Sequence, residues 1–244
     1  MNIPCYVINL DGHEKNFEKQ KPLLVEEGIE PVRFRGVNAK KDEHLDYKDD
    51  VTKWCFNTCP KSVIGCGLSH VLLAQSLRDQ GVPLALVLED DAFPKVCDVL
   101  VHIQKAIQEV PEDWEIIKLH CLMCVDGSVK NYIGGSTAAY LINASGIEKL
   151  SNMKVNFHID SQTTFSNIKI YKSKYNLFWT DEKTSTNRGN DVPFLRSVKT
   201  SSGEQSWSQV LSFYVFRIPI IGFEVKAWQL FLLFLVIIVV FSSA

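Results

Sequence analysis

The chain has 244 residues, 46% of them hydrophobic and 22% charged, with a formal net charge of −2 at neutral pH. That length can bury one substantial core plus an appendage, and the balanced charge offers no whole-chain attraction for nucleic acid. Nothing resembling a secretory signal opens the chain, because Met1-Asn2-Ile3-Pro4-Cys5 runs directly into a strand and acidic residues follow too soon for a transit peptide.

The first strand is expected at Cys5 to Ile8, with Asn9-Leu10-Asp11 as the turn at its carboxyl end. His13 to Glu27 reads as a helix carrying Phe17 and Leu24, stopped by Gly28 and kinked at Pro22. Pro31 to Phe34 makes a second strand, and the polar stretch from Lys40 to Lys53 reads as a surface loop. Gly65-Cys-Gly-Leu-Ser69-His70 is expected to open a helix with Ser69 as its N-cap, ending at Gly81. Leu84 to Leu88 is a short apolar run of the kind found in a buried parallel strand. Val96, Leu100, Ile103, Ile107 and Val110 mark an amphipathic helix, followed by strands at Trp114 to Ile117 and towards Ile142, with Ser145 capping a helix to Leu150. Strands and helices alternate, so the fold class is α/β with a mostly parallel sheet flanked by helices.

From Ser173 to Gln209 the pattern is lost, and that Ser- and Thr-rich stretch reads as a linker or mobile loop. Residues 210–226 are apolar but hold Arg217, Pro219 and Gly222, which suits an interfacial or re-entrant element. Ala227 to Phe241 carries no charge and is about long enough to span a bilayer, so residues 227–244 read as a C-terminal hydrophobic anchor helix, with a buried helix as the alternative. The catalytic domain is then residues 1–172, expected on the cytosolic side of a membrane.

Seven cysteines, at 5, 55, 59, 66, 97, 121 and 124, form no disulfide framework, and Cys5, Cys66 and Cys97 read as small hydrophobes. Cys121-Leu-Met-Cys124 could be a redox or zinc pair, with Cys55 and Cys59 as two more ligands, but neither a His-x-Glu nor a second Cys-x-x-Cys supports structural zinc.

The apolar run ends in three consecutive carboxylates, Glu89-Asp90-Asp91. Adjacent carboxylates repel one another, and in open α/β sheets ligands bind at the carboxyl ends of strands. The triplet therefore predicts a hard divalent cation, Mn²⁺ or Mg²⁺, bridging to a substrate diphosphate. The competing reading is an acidic loop in which Asp90 or Asp91 caps a helix before Val96.

Val7-Ile-Asn-Leu-Asp11, Arg33-Phe-Arg-Gly-Val-Asn38, Gly65-Cys-Gly-Leu-Ser-His70, Leu88-Glu-Asp-Asp-Ala92, Asp113-Trp114, Ala139-Tyr-Leu-Ile142 and Ile159-Asp160 occur in one order over roughly residues 5 to 165. In that order the chain resembles glycosyltransferase family 25, the lipooligosaccharide and collagen β-galactosyltransferases. The resemblance implies a GT-A nucleotide-diphospho-sugar fold, a divalent metal on a DxD-like motif, and inverting transfer of a hexose, most often galactose from UDP-galactose. The acceptor would be a hydroxyl on a glycan, a lipid-linked glycan or a protein. Two departures stand out: His13-Glu-Lys-Asn16 lacks the usual arginine, and Ser62-Val-Ile64 lacks an acidic residue often found there.

Under that reading Asp91 is the direct metal ligand and Glu89 a second or water-mediated one, since alternate residues of an extended segment share a side. Asp90 faces donor hydroxyls, Asn9 and Leu10 lie where uracil and ribose would bind, and His70 is a candidate phosphate contact. His70 reads more readily as a packed helix residue, and Asn9 with Leu10 equally as an ordinary strand-end turn. Asp160 matches the family's late aspartate and is the candidate base, with a helix cap as its alternative and His120 next in rank. A non-catalytic, membrane-anchored binding relative would be expected to lose the acidic triplet, which is intact here. A nucleotidyltransferase would usually add a Gly-rich phosphate loop, which Gly12 alone does not make.

Overall fold

The computed structural model describes residues 3–41, 47–121, 136–181, 214–218, 223–230 and 232–233. In chain order these form β1 (Cys5–Leu10), α1 (Glu14–Glu26), β2 (Pro31–Gly36), α2 (Lys53–Thr58), α3 (Lys61–Asp79), β3 (Leu84–Glu89), β4 (Ala92–Pro94) and α4 (Val99–Glu109). They continue with β5 (Ile116–Lys118), β6 (Ala139–Asn143), α5 (Ala144–Ser151), α6 (Ile159–Thr164), β7 (Ile170–Lys172), β8 (Phe178–Thr180), β9 (Tyr214–Ile218) and β10 (Phe223–Lys226).

Six strands make one sheet in the order β2-β1-β3-β6-β5-β7. β1 pairs in parallel with β2 and β3, and β5 with β7, while β6 runs antiparallel to β3 and β5. The expected mostly parallel α/β sheet is present, with one reversed strand inside it.

Both faces of the central strands are covered, which is why β3 and β6 read as apolar runs. Ala85 and Val87 of β3, with Tyr140 and Ile142 of β6, pack on one side against Ile64, Leu68 and Leu73 of α3 and Ile147 and Leu150 of α5. Leu86 and Leu88, with Ala139 and Leu141, pack on the other side against Phe17 and Leu24 of α1 and Ile103 of α4. Each fully buried aliphatic side chain contributes about 1.5–3 kcal/mol.

α3 begins at Lys61, eight residues ahead of the expected Ser69 cap, so Ser69 lies inside the helix. Its hydroxyl donates to the Gly65 carbonyl at 2.7 Å and accepts from the Val37 amide at 2.8 Å, tying the loop after β2 to α3. The two glycines that suggested a helix start are spacers instead. A Cβ on Gly65 would meet the Val37 carbonyl oxygen at 2.5 Å, and one on Gly67 would meet Val155 at 2.7 Å. Close approach outweighs their helix cost of about 1 kcal/mol each.

Asn143, not Ser145, caps α5, accepting from the Gly146 amide at 3.0 Å. Between Asp91 and Val96 the chain forms β4, which pairs antiparallel with β8, and α4 starts only at Val99, so no acidic residue of the triplet caps it. β8 and α6 were not expected from the sequence; both are short and neither shows a clear period.

The segment read as an interfacial element contains the antiparallel pair β9 and β10, consistent with the strand preference of Tyr-Val-Phe-Arg-Ile. Among the described residues no helix is long and apolar enough to cross a membrane. Residues 227–230 and 232–233 are helical, while the rest of the expected anchor and residues 182–209 of the expected linker lie outside the described residues. Cys121 is disulfide-bonded, which counts against its reading as a zinc ligand and is compatible with a redox cysteine, whereas Cys5, Cys55, Cys59, Cys66 and Cys97 are in no disulfide.

Candidate active site

A cavity of about 200 Å³ opens at the carboxyl ends of β1 and β3, walled by Leu10 and His13, by Asn38 to Lys40, by Cys66, Ser69 and His70 of α3, and by Glu89, Asp90 and Asp91. Five of the residues singled out from the sequence, Leu10, His70, Glu89, Asp90 and Asp91, thus meet at one site.

Strand parity sends Glu89 and Asp90 in opposite directions. Residues 85 and 87 face α3, so Glu89 does too: its Oε1 accepts from the Thr137 hydroxyl at 2.9 Å and lies 3.4 Å from His70 Nε2. Burial pushes the Glu89 carboxyl up, but the His70 ring, the Thr137 hydroxyl and the Lys118 ammonium together hold it below its usual range. Asp90 belongs to the opposite parity and turns towards α1. Its Oδ2 accepts from Asn9 at 2.6 Å and from Asn16 at 3.3 Å. Burial still dominates and raises its pKa. Asp91, 9% exposed, follows the strand end on the cavity wall, and its carbonyl accepts from the Asp181 amide at 2.8 Å beside β8.

Asn9 does not line the cavity. It is 1% exposed, its amide donates to the His13 carbonyl at 2.9 Å as well as to Asp90, and its oxygen accepts from Arg33 Nε at 2.6 Å. Both N–H groups are committed, so the residue positions Asp90 rather than reaching for a base. Arg33 and Arg35 also hold Asp11, lowering that carboxyl's pKa through their hydrogen bonds. From α1, buried Gln20 donates to the carbonyls of Glu89 and Ala92, so amide side chains brace the acidic turn from two elements.

Asp160 lies in the first turn of α6 and is not among the cavity-lining residues. Its Oδ1 is buried without a hydrogen-bond partner, and its charge acts on Lys118. Lys118 is 1% exposed, sits over the Tyr140 ring at 5.2 Å and is held down to about 8 by burial, against the pull of Asp160 and Glu89. His120 is also buried, its Nδ1 2.8 Å from the Ser136 hydroxyl.

Three contributors lie outside the residues expected from the sequence. Cys66, taken as a packed hydrophobe, lines the cavity one helical turn from His70. Lys40, assigned to a surface loop, lines the same wall. Lys118 carried no signal because a single lysine ending a strand is ordinarily solvated. The spacing Cys66-x-x-x-His70 was legible, since residues four apart share a helix face.

The sequence profile of glycosyltransferase family 25 (LPS biosynthesis protein) matches residues 2–165. The chain belongs to this family. It is therefore a glycosyltransferase. No curated protein matches the sequence. Among solved structures it is similar to A197 from STIV, with 11% identity, a TM-score of 0.39, and coverage of 71% of this chain and 83% of that one. It is also similar to a glycosyltransferase involved in glycosylation of the major capsid of PBCV-1, with 10% identity, a TM-score of 0.37, and 62% and 64% covered. Mouse xyloside xylosyltransferase 1 in its apo form gives 8% identity, a TM-score of 0.37, and 68% and 80% covered.

Proposed function

We propose that this glycosyltransferase has the GT-A fold and moves a hexose, with UDP-galactose the first donor to test, to a hydroxyl of a glycan, lipid-linked glycan or protein, with inversion. Family membership implies a nucleotide-sugar donor and a glycan acceptor. The observation that carries the reading is the acidic turn Glu89 to Asp91, placed at the carboxyl end of a central strand on the wall of a cavity that also receives Lys40 and His13.

A hard divalent ion fits the donor set at Asp91, with Glu89 as a second or water-mediated ligand; Asp90, tied to two asparagines, is left to face donor hydroxyls. Such an ion supplies charge neutralisation to the departing diphosphate when bound. The protein's own part is to hold the turn rigid through Asn9, Asn16 and Gln20 and to bring the Lys40 cation to the phosphate side. Half-buried Asp160, whose charge acts on Lys118, takes the acceptor proton in this reading, and a hydroxyl would satisfy its buried, unpartnered Oδ1.

The experiment is incubation of detergent-solubilised protein with a panel of UDP-sugars and Mn²⁺, following donor hydrolysis and transfer to simple glycosides. Turnover of one UDP-hexose above the others is expected. Absence of both hydrolysis and transfer with every donor, in protein shown to be folded, would overturn the proposal.

A further inference from the structure

His70 poses an unanswered question at the cavity floor. It is 1% exposed, its Nδ1 is 2.9 Å from the Tyr140 hydroxyl, and its Nε2 has no hydrogen-bond partner although it points into the space beside Glu89 and Cys66. With Nδ1–H donating to Tyr140, Nε2 can offer a lone pair to a cation, which would take over from the His70 ring as the counter-charge to Glu89.

We propose that Cys66, His70 and Glu89 form a site for a borderline divalent cation of the zinc class, with its fourth position open to the cavity. The ligand atoms of these three residues lie within 4.8 Å of one another, and no other such group occurs among the described residues. Nε2 and Glu89 Oε1 are 3.4 Å apart. A tetrahedral ion with metal–nitrogen and metal–oxygen bonds of about 2.1 Å has an N···O edge of about 3.4 Å, so this pair already stands at a ligating separation. Cys66 and His70 are four residues apart on α3, which brings both to the same face as a chelating pair.

Ligand chemistry separates this site from the hard-ion position at Asp91. Mn²⁺ and Mg²⁺ favour oxygen, whereas thiolate plus imidazole plus one carboxylate is the donor set of zinc. Charge agrees: on binding, the Cys66 thiol gives its proton to water, and a dication then balances one thiolate and one carboxylate, leaving the buried centre neutral. The Tyr140 hydroxyl is the outer partner that orients a ligating imidazole. Glu89 belongs to both donor sets, so an ion at this site withdraws Glu89 from the ion at Asp91. The inference rests on the proposed function only in sharing its cavity.

The test is optical titration of the metal-stripped full-length protein with Co²⁺, followed by Zn²⁺. We expect Co²⁺ to raise a thiolate-to-cobalt charge-transfer band and the intense visible bands of four-coordinate cobalt, and Zn²⁺ to bleach them. Cys66→Ser, with its fold checked by circular dichroism, should abolish the charge-transfer band, and Tyr140→Phe should weaken binding about 10–100-fold. A band that persists in Cys66→Ser, or wild-type protein that binds Co²⁺ with no such band, overturns the site. UDP-sugar turnover with Mn²⁺ is measured on the same preparation. Turnover without the band leaves glycosyl transfer standing and removes this site; the band without turnover does the reverse.

Discussion

The Asn9 amide donates to Asp90 Oδ2 at 2.6 Å, joining the end of β1 to the acidic turn 81 residues further along the chain. Asn9 is in turn fixed by Arg33 and the His13 carbonyl, so the orientation of Asp90 is set by a chain of hydrogen bonds through the ends of β1 and β2.

Replacing Asn9 with alanine should therefore act through Asp90. Burial raises that carboxyl's pKa and the Asn9 and Asn16 hydrogen bonds oppose the rise, so losing one of them moves it further up. The acid limb of the rate–pH profile should shift to higher pH, and a hydrogen bond to a charged group, worth about 1.5–3 kcal/mol, is lost. An unshifted profile in Asn9→Ala would argue that Asp90 does not titrate in the working range.

Asp91→Asn should abolish metal-dependent transfer, because removing a ligand to an ion that neutralises a diphosphate costs several kcal/mol of charge stabilisation. Kinetics with Mn²⁺ and with chelator check this. Full turnover of the variant under chelation would count against Asp91 as a ligand.

Asp160→Asn should bind UDP-sugar with near-normal affinity by calorimetry yet transfer about 10²–10⁴-fold more slowly, as loss of a general base does. Collapse of donor binding would instead make Asp160 part of the donor site, and His120 would become the next candidate base.

Lys118 gives a stability prediction with a definite sign. Its folded pKa of about 8 lies below the ordinary 10.5, so between those values the unfolded chain binds more protons and stability from this group rises with pH. At about 1.4 kcal/mol per unit the gain is a few kcal/mol. Thermal melts of wild type and Lys118→Met should diverge over pH 8 to 10.5, wild type gaining. Parallel melting curves would mean that the lysine is not buried as a charge-bearing group.

Retention in membranes is the expectation for the uncharged run from Ala227 through Phe241. Carbonate extraction checks it, and release of the full-length chain into the supernatant would remove the anchor.

The strands were legible because a sheet covered on both faces writes itself as apolar runs, and β3 with its terminal acids marked the site directly. What could not be read was direction. Spacing along an extended segment already separates Glu89 and Asp91 from Asp90; what it cannot say is that the first side faces α3 and the second α1. α3 was started too late because its glycines resemble a helix boundary until the partner at Val37 is known. Cys66 looked like filler because its two neighbours in space, His70 and Glu89, are separated by 19 residues, and only the fold brings them together. The orphaned oxygen of Asp160 and the buried charge of Lys118 belong to tertiary packing and have no local trace.

Helix α3 meets the Val37 carbonyl at Gly65 and Val155 at Gly67 with no room for even a methyl group between them. Cys66 lies between these two contacts, so the part of the helix that faces the cavity cannot slide or rotate without a clash on one side or the other. Selectivity on that wall is thus a matter of fixed shape: a ligand that does not match it is refused there, and any accommodation of different sugars must be made across the cavity, where Leu10 and His13 stand.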